Sequence, residues 1–311
     1  MQALRPVSSG GNSKQVEFNI EQGDGAGEII HNLYSAGLIK SEIALKICTF
    51  LDGKILMFKP GIYELNSAQS AKEIIDVLVV GPKAISAVIT PGMTLAEIDD
   101  YLAELKILNK GALINFAIKN LEVKHSYLGG VKSLEGFLFP DTYMFFSSSD
   151  VNDIINKILV NFDEKISSIN EISELKNIDD FLKKIILASI LEKEVIDYKD
   201  KQIVAGILEK RILKGMPLQI DATVVYAKCG GAFIGCEIYR SDFKIDSLYN
   251  TYKYKGYPPA PISNPGLDSI NAAFNPIKTD YWYYLSDPKT KKTIFAKTLE
   301  EQNNNQAKYL R

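Results

Sequence analysis

Histidine is nearly absent from this chain of 311 residues: only His31 and His125 occur, and neither has neighbouring ligands at zinc spacing. Ser-His and Cys-His catalysis and histidine-rich metal sites are therefore set aside. An excess of one charge is missing too. Thirty-six basic residues stand against 38 acidic ones, a net charge of −2, and neither sign gathers into a block that would hold a nucleic acid. No apolar run reaches the ~18 residues of a membrane span, and Met1 to Lys14 is polar and rich in Ser and Gly. The expectation is a chain with neither anchor nor signal peptide. Cysteine is sparse, and Cys48, Cys229 and Cys236 form no metal pattern. Cys229 and Cys236 flank Gly-Gly-Ala-Phe-Ile-Gly; two free thiols is the simpler expectation, a small closed loop the alternative outside the cytoplasm.

What is present is a folding composition, 46% hydrophobic and 24% charged, long enough for about two domains. Val16 to Ile20 alternates as a strand, Gly23 to Gly27 leads into a helix from Glu28 to Ala36, and Gly37 ends it. No Lys-Ser or Lys-Thr follows those glycines, so they make no phosphate loop. Gly61 to Leu65 reads as a strand and Ser70 to Val80 as a helix stopped by Gly81-Pro82. Gly23, Glu28, Ile29 and Leu33 recur 69 residues on as Gly92, Glu97, Ile98 and Leu102, a weakly repeated strand-turn-helix unit. Asp150 to Lys214 is mainly helical, with a charged joint at Asn170 to Asp180. Gly215-Met216-Pro217 then turns the chain into a predicted strand, Leu218 to Tyr226. Turns, aromatics and short extended pieces are expected from there to Arg311, with one stiff loop at Pro258, Pro259, Pro261 and Pro265 and one alternating strand at Tyr281 to Tyr284.

One segment stands out chemically. Ile185-Ile186-Leu187-Ala188-Ser189-Ile190-Leu191-Glu192-Lys193-Glu194-Val195 is apolar almost all round a helix, so it should run through a core. Glu192 lies one turn after Ala188 and Ser189, whose small side chains leave a hollow beside it, whereas Leu187 and Ile190 flank Glu194. A carboxyl in such surroundings is expected to titrate high and to donate a proton to a leaving oxygen, as glycosidic cleavage requires. The competing reading pairs Glu192 with a buried cation such as Arg211. Gln219, Asp221 and Thr223 alternate along the predicted strand as a polar face, which reads as a surface for glycan hydroxyls or as a hydrogen-bonded network under the helix.

Four segments together resemble the endolytic murein transglycosylases of the YceG-like family. They are Leu134-Glu135-Gly136-Phe137-Leu138-Phe139-Pro140-Asp141-Thr142-Tyr143; the Ala188 to Glu194 helix; Gly215-Met216-Pro217-Leu218-Gln219-Ile220-Asp221-Ala222-Thr223-Val224-Val225-Tyr226; and Tyr249-Asn250-Thr251-Tyr252 with Gly256 to Gly266. The resemblance implies an α+β fold: a disordered or truncated start at 1–15, a LysM-like βα subdomain at 16–83, a connecting βα unit at 84–130, and a mixed α+β catalytic domain at 131–311. It implies cleavage of peptidoglycan glycan strands between MurNAc and GlcNAc to leave 1,6-anhydroMurNAc ends, with Glu192 as acid then base and no metal or cofactor. Gln219, Asp221, Thr223, Asn250, Tyr252, Asn264 and Glu135 are its expected substrate contacts, although Glu135 also reads as a brace for its own loop. Family members work on the outer face of the cytoplasmic membrane behind a transmembrane helix not found in this sequence, and penicillin-binding-protein synthases are the implied partners. The chain departs from the family at Ala222, where proline is usual, and at Thr293 and Gln302, where histidines are usual. A noncatalytic glycan-binding scaffold and a water-using muramidase are the alternatives.

Overall fold

The computed structural model describes residues 2–8, 13–53, 57–121, 124–146, 149–174 and 177–310. Among them it is a mixed α+β chain with ten α-helices and three two-stranded sheets. Parts of two stretches read from the sequence, the polar start and the Asn170 to Asp180 joint, lie outside the described residues. Two compact units divide the chain.

The first unit comprises Met1–Ala87, Ala103–Asn109 and Met144–Asp150. Strand β1 (Gln15–Ile20) runs antiparallel to β2 (Gly61–Asn66), Phe18 opposite Tyr63 and Val16 opposite Leu65. Period-two alternation works as expected here, since Phe18 and Ile20 are buried while Glu17 and Asn19 are exposed. Helices α1 (Ala26–Ser35) and α2 (Glu42–Leu51) connect the strands and α3 (Ala71–Val80) follows them. Ile29, Ile30, Leu33, Leu45, Ile74, Ile75 and Leu78 join the strands in one core, each such side chain worth ~1.5–3 kcal/mol on burial. Helix α3 starts where a capping box satisfies its first amides: the Ser70 hydroxyl accepts from Glu73 N–H, and the Glu73 carboxylate accepts from Ser70 N–H. Helix α2 was not legible in the sequence because Ile43, Ile47, Phe50 and Leu51 lie exposed and blur its apolar stripe. Strands β3 (Ala84–Val88) and β4 (Thr142–Phe146) pair as a second sheet.

The second unit comprises Val88–Leu102, Lys110–Tyr143 and Val151–Arg311. It contains most of α4 (Leu95–Glu104), then α5 (Val151–Ile166), α6 (Ile178–Glu194), α7 (Tyr198–Leu213), α8 (Asp221–Cys229), α9 (Leu267–Phe274), β5 (Tyr283–Ser286), β6 (Thr293–Ala296) and α10 (Leu299–Tyr309). Helix α6 is its axis. The Asn177 side chain caps its start, Phe181 and every residue from Ile185 to Leu191 are buried, and α7 and α9 pack along it. Gly206 on α7 lets the backbone at Ile277 approach; a β-carbon there would stand 2.0 Å from the Ile277 carbonyl oxygen. The repeat seen in the sequence is local: Gly23 and Gly92 both take positive φ, and Ile29, Leu33, Ile98 and Leu102 are all buried.

Three expectations are corrected. Leu218 to Tyr226 is no strand: Leu218 to Ile220 is irregular and α8 begins at Asp221, where an acidic residue suits the positive end of the helix. The β-branched Val224 and Val225 misled the pattern. Helices α9 and α10 occupy stretches read as turns and extended pieces. Cys229 and Cys236 are joined as a disulfide, leaving Cys48 free. Their loop is fastened to α4: the Thr94 hydroxyl donates to the Gly231 carbonyl at 2.7 Å, and Phe233 N–H donates to Glu97 at 3.0 Å. No helix among the described residues is long and apolar enough to cross a membrane.

Candidate active site

Helix α6 ends in two glutamates whose surroundings differ. The hollow expected beside Glu192 is filled. Ser189 accepts from Ile262 N–H at 3.0 Å through its hydroxyl, and its carbonyl accepts from the Ser263 hydroxyl at 3.0 Å. The small residues of α6 therefore seat the proline-rich loop. Glu192 takes up two protein partners. One oxygen accepts from Gly266 N–H at the start of α9 at 2.9 Å, and the other pairs with the buried Lys201 ammonium at 3.4 Å. The ion-pair reading thus holds for Glu192, but with Lys201 in place of Arg211. The space it borders, beside Pro91, Asp141, Lys165 and Asp268, has a volume of about 390 Å³.

Glu194, two residues further on, borders the larger cavity, of about 570 Å³. Helix α6 supplies Glu194, α7 supplies Arg211, the turn into α8 supplies Gln219 and Asp221, β5 supplies Tyr283, Tyr284 and Ser286, and α10 supplies Gln302 and Gln306. Burial pushes the Glu194 carboxyl up to about 7, and the Asp221 charge pushes it the same way; the Tyr284 hydroxyl, donating at 3.3 Å, and the Ala222 amide pull it down. Tyr252 donates its hydroxyl to Asp221, and burial and that carboxylate together push its own phenol well above the usual range.

The walls are held by main-chain hydrogen bonds. Arg211, buried at the cavity, donates to the Trp282 carbonyl at 2.9 and 2.7 Å and to the Leu218 carbonyl at 2.8 Å. Gln219 is held in the left-handed region, φ +53°, by its N–H bond to the Thr251 carbonyl, with Ile220 N–H fixed on the Thr251 hydroxyl. A left-handed non-glycine residue costs about 1–3 kcal/mol and persists where its surroundings impose it. Gln219 is exposed on the cavity wall.

Of the expected site residues, the structure brings Gln219, Asp221 and Tyr252 together, around Glu194 and not around Glu192. The other four are braces. Thr223 is buried, its hydroxyl donating to the Ile220 carbonyl and bonded to Thr251. Asn250, fully buried, donates to the Phe243 and Ile245 carbonyls and accepts from Tyr252 N–H. Asn264 accepts from Gly136 N–H and Leu138 N–H and donates to Met93 and Glu135. Glu135 accepts from Leu95 N–H, Asn264 and Tyr226; burial nonetheless pushes its carboxyl up to about 8. Polar residues in these motifs are spent on joining loops, which their type alone did not reveal. Glu194, Arg211, Tyr284 and Gln302 also line this cavity and were not among the expected site residues. The alternation of Tyr281 to Tyr284 was the one signal for Tyr284, and it was read as core.

A carboxyl raised to about 7 by burial thus stands beside a second acid on a cavity of mixed polarity, an arrangement chemically able to exchange a proton. The sequence profile of the YceG-like family matches residues 18–308, and the chain belongs to that family. It is similar to an endolytic murein transglycosylase of Bacillus subtilis strain 168, with 32% identity over 331 aligned positions covering 99% of this chain and 88% of the relative. An endolytic murein transglycosylase of Streptococcus pneumoniae strain D39 is 28% identical; the match covers all of this chain and 61% of that protein's length. A crystal structure of a yceG-like protein from Listeria monocytogenes shares the fold with a TM-score of 0.62 at 30% identity, over 94% of this chain and 99% of the other.

Proposed function

We propose that the chain is an endolytic murein transglycosylase that cuts peptidoglycan glycan strands between MurNAc and GlcNAc and leaves 1,6-anhydroMurNAc ends. Glu194 takes the role that the sequence reading assigned to Glu192. The observation that carries this reading is the placement of Glu194 on the cavity, with its carboxyl near 7, while Glu192 is engaged by Lys201 and Gly266. A group of that pKa is divided between acid and base at neutral pH, which suits one residue that must act as both. Protonated Glu194 gives its proton to the glycosidic oxygen as the C1–O bond breaks. The C6 hydroxyl of the same sugar then closes on C1, and its proton returns to the Glu194 carboxylate. Gln219, Asp221 and Tyr252 are the substrate contacts in this reading, with Thr223, Asn250, Asn264 and Glu135 holding the loops that carry them. The first unit's order of strand, two helices and strand supports a LysM-like glycan contact there. Placement at the outer face of the cytoplasmic membrane, beside penicillin-binding-protein synthases, is the setting the family resemblance supplies.

Asp221 on the same cavity favours one rival, a muramidase in which the second carboxylate directs a water. Digestion of purified peptidoglycan followed by mass analysis of the new ends separates the two. Ends lighter by one water support the lytic reaction, ends carrying that water support the muramidase, and intact strands overturn both.

A further inference from the structure

Gln302 lies on α10 and borders the same cavity, yet it is only 7% exposed. Its amide nitrogen donates to the Tyr284 carbonyl at 3.0 Å. That bond settles which end of the amide is which, because a reversed amide would set two acceptor oxygens face to face. The remaining oxygen, Oε1, is buried without a hydrogen-bond partner, a condition shared among the buried polar side-chain atoms of the described residues only by Ser269 Oγ. An orphaned acceptor weakens a fold unless something comes to pair with it. Leu285, Leu299 and Leu310 are among the residues that line the same cavity.

We propose that Gln302 reads the N-acetyl group of an amino sugar bound in this cavity, Oε1 accepting the acetamido N–H while the acetyl methyl packs on Leu285, Leu299 and Leu310. The proposal rests on the cavity being the glycan site. An acetamido group answers both halves of the observation: its N–H is a donor that the acceptor lacks, and its methyl matches the leucines. A hydroxyl answers only the first half. Because Gln302 also holds the Tyr284 main chain, whose phenol touches Glu194, a positioning role is the alternative that the test must exclude.

The experiment uses the full chain and two glycan preparations, native peptidoglycan strands and strands chemically stripped of their acetyl groups. Gln302→Met is compared with the unchanged protein, after thermal melts show both to be folded. KM on native strands rises about 10-fold in Gln302→Met with kcat little changed, and on stripped strands the two proteins are equal. An equal loss on both preparations, a fall confined to kcat, or no loss at all overturns the proposal. Should Gln302→Met fail to fold, Gln302→Lys serves, since it keeps a donor for the Tyr284 carbonyl and offers no acceptor: a rise in KM confined to native strands upholds the proposal, and an unchanged KM overturns it. Direct binding of N-acetylglucosamine oligomers to the unchanged protein and to Gln302→Met, followed by calorimetry, keeps the outcomes distinct: Gln302-dependent binding by an unchanged protein that leaves peptidoglycan uncut upholds the inference while overturning the lytic reading.

Discussion

Two acids stand two residues apart on α6 and meet opposite fates, because two residues of helix turn through about 200°. On one side Glu192 closes a joint: it ties the start of α9 to the buried Lys201 beneath a loop seated on Ser189. On the other, Glu194 opens on a cavity and meets a phenol and an amide instead of a cation. A charge that has a protein partner supports the fold. A charge whose partners leave it near neutrality is free to exchange its proton with a ligand. Burial is the larger cause of the raised Glu194 carboxyl and the Asp221 charge adds to it, whereas Glu192 has a buried cation beside it.

Exchanging each acid for its amide tests the contrast most severely. Glu194→Gln is expected to lower cleavage of peptidoglycan by about 10³-fold or more, the scale of a lost general acid, while its urea midpoint stays level or rises. A comparable loss in Glu192→Gln would erase the distinction. That second variant is instead expected to keep activity within ~10-fold and to lose about 2–4 kcal/mol of stability, because Lys201 remains buried without its counter-charge. Urea denaturation near pH 7 measures it.

Subtler effects follow from titration. The folded Glu194 carboxyl lies near 7 against an ordinary 4.5, so its contribution to stability is complete below about 4.5 and is lost as pH rises through 7. Glu194→Gln should flatten that decline, and kcat/KM of the unchanged protein should fall on an alkaline limb near 7. The smallest shift belongs to Tyr284→Phe. Its hydroxyl holds the Glu194 pKa down, so its removal moves the limb to higher pH with only a few-fold change in rate. A limb that stays put would detach Tyr284 from the acid.

Much of this was legible in advance where the information is local. The helix from Ser70 to Val80, the alternation of β1 and β2 and the apolar circumference of α6 each depend on neighbours in sequence, and each is found in the fold. What failed depends on chain brought from far away. Whether the gap beside Ala188 and Ser189 stays open is decided by Ile262 and Ser263, more than seventy residues on, and nothing in α6 announces them. Helix α10 was missed because Asn303, Asn304 and Asn305 are poor helix formers and its only buried residue is Gln302. Asn250 and Asn264 look like ligand contacts by type and prove to be fasteners by geometry.

The opposition of Glu192 and Glu194 also limits how this gene can change length. Surface turns tolerate gained or lost codons, whereas one codon added between Ser189 and Glu192 would rotate the rest of α6 by about 100°. The α9 clasp and the cavity would lose their carboxylates in the same event. Substitutions can be sampled there one function at a time; insertions and deletions cannot.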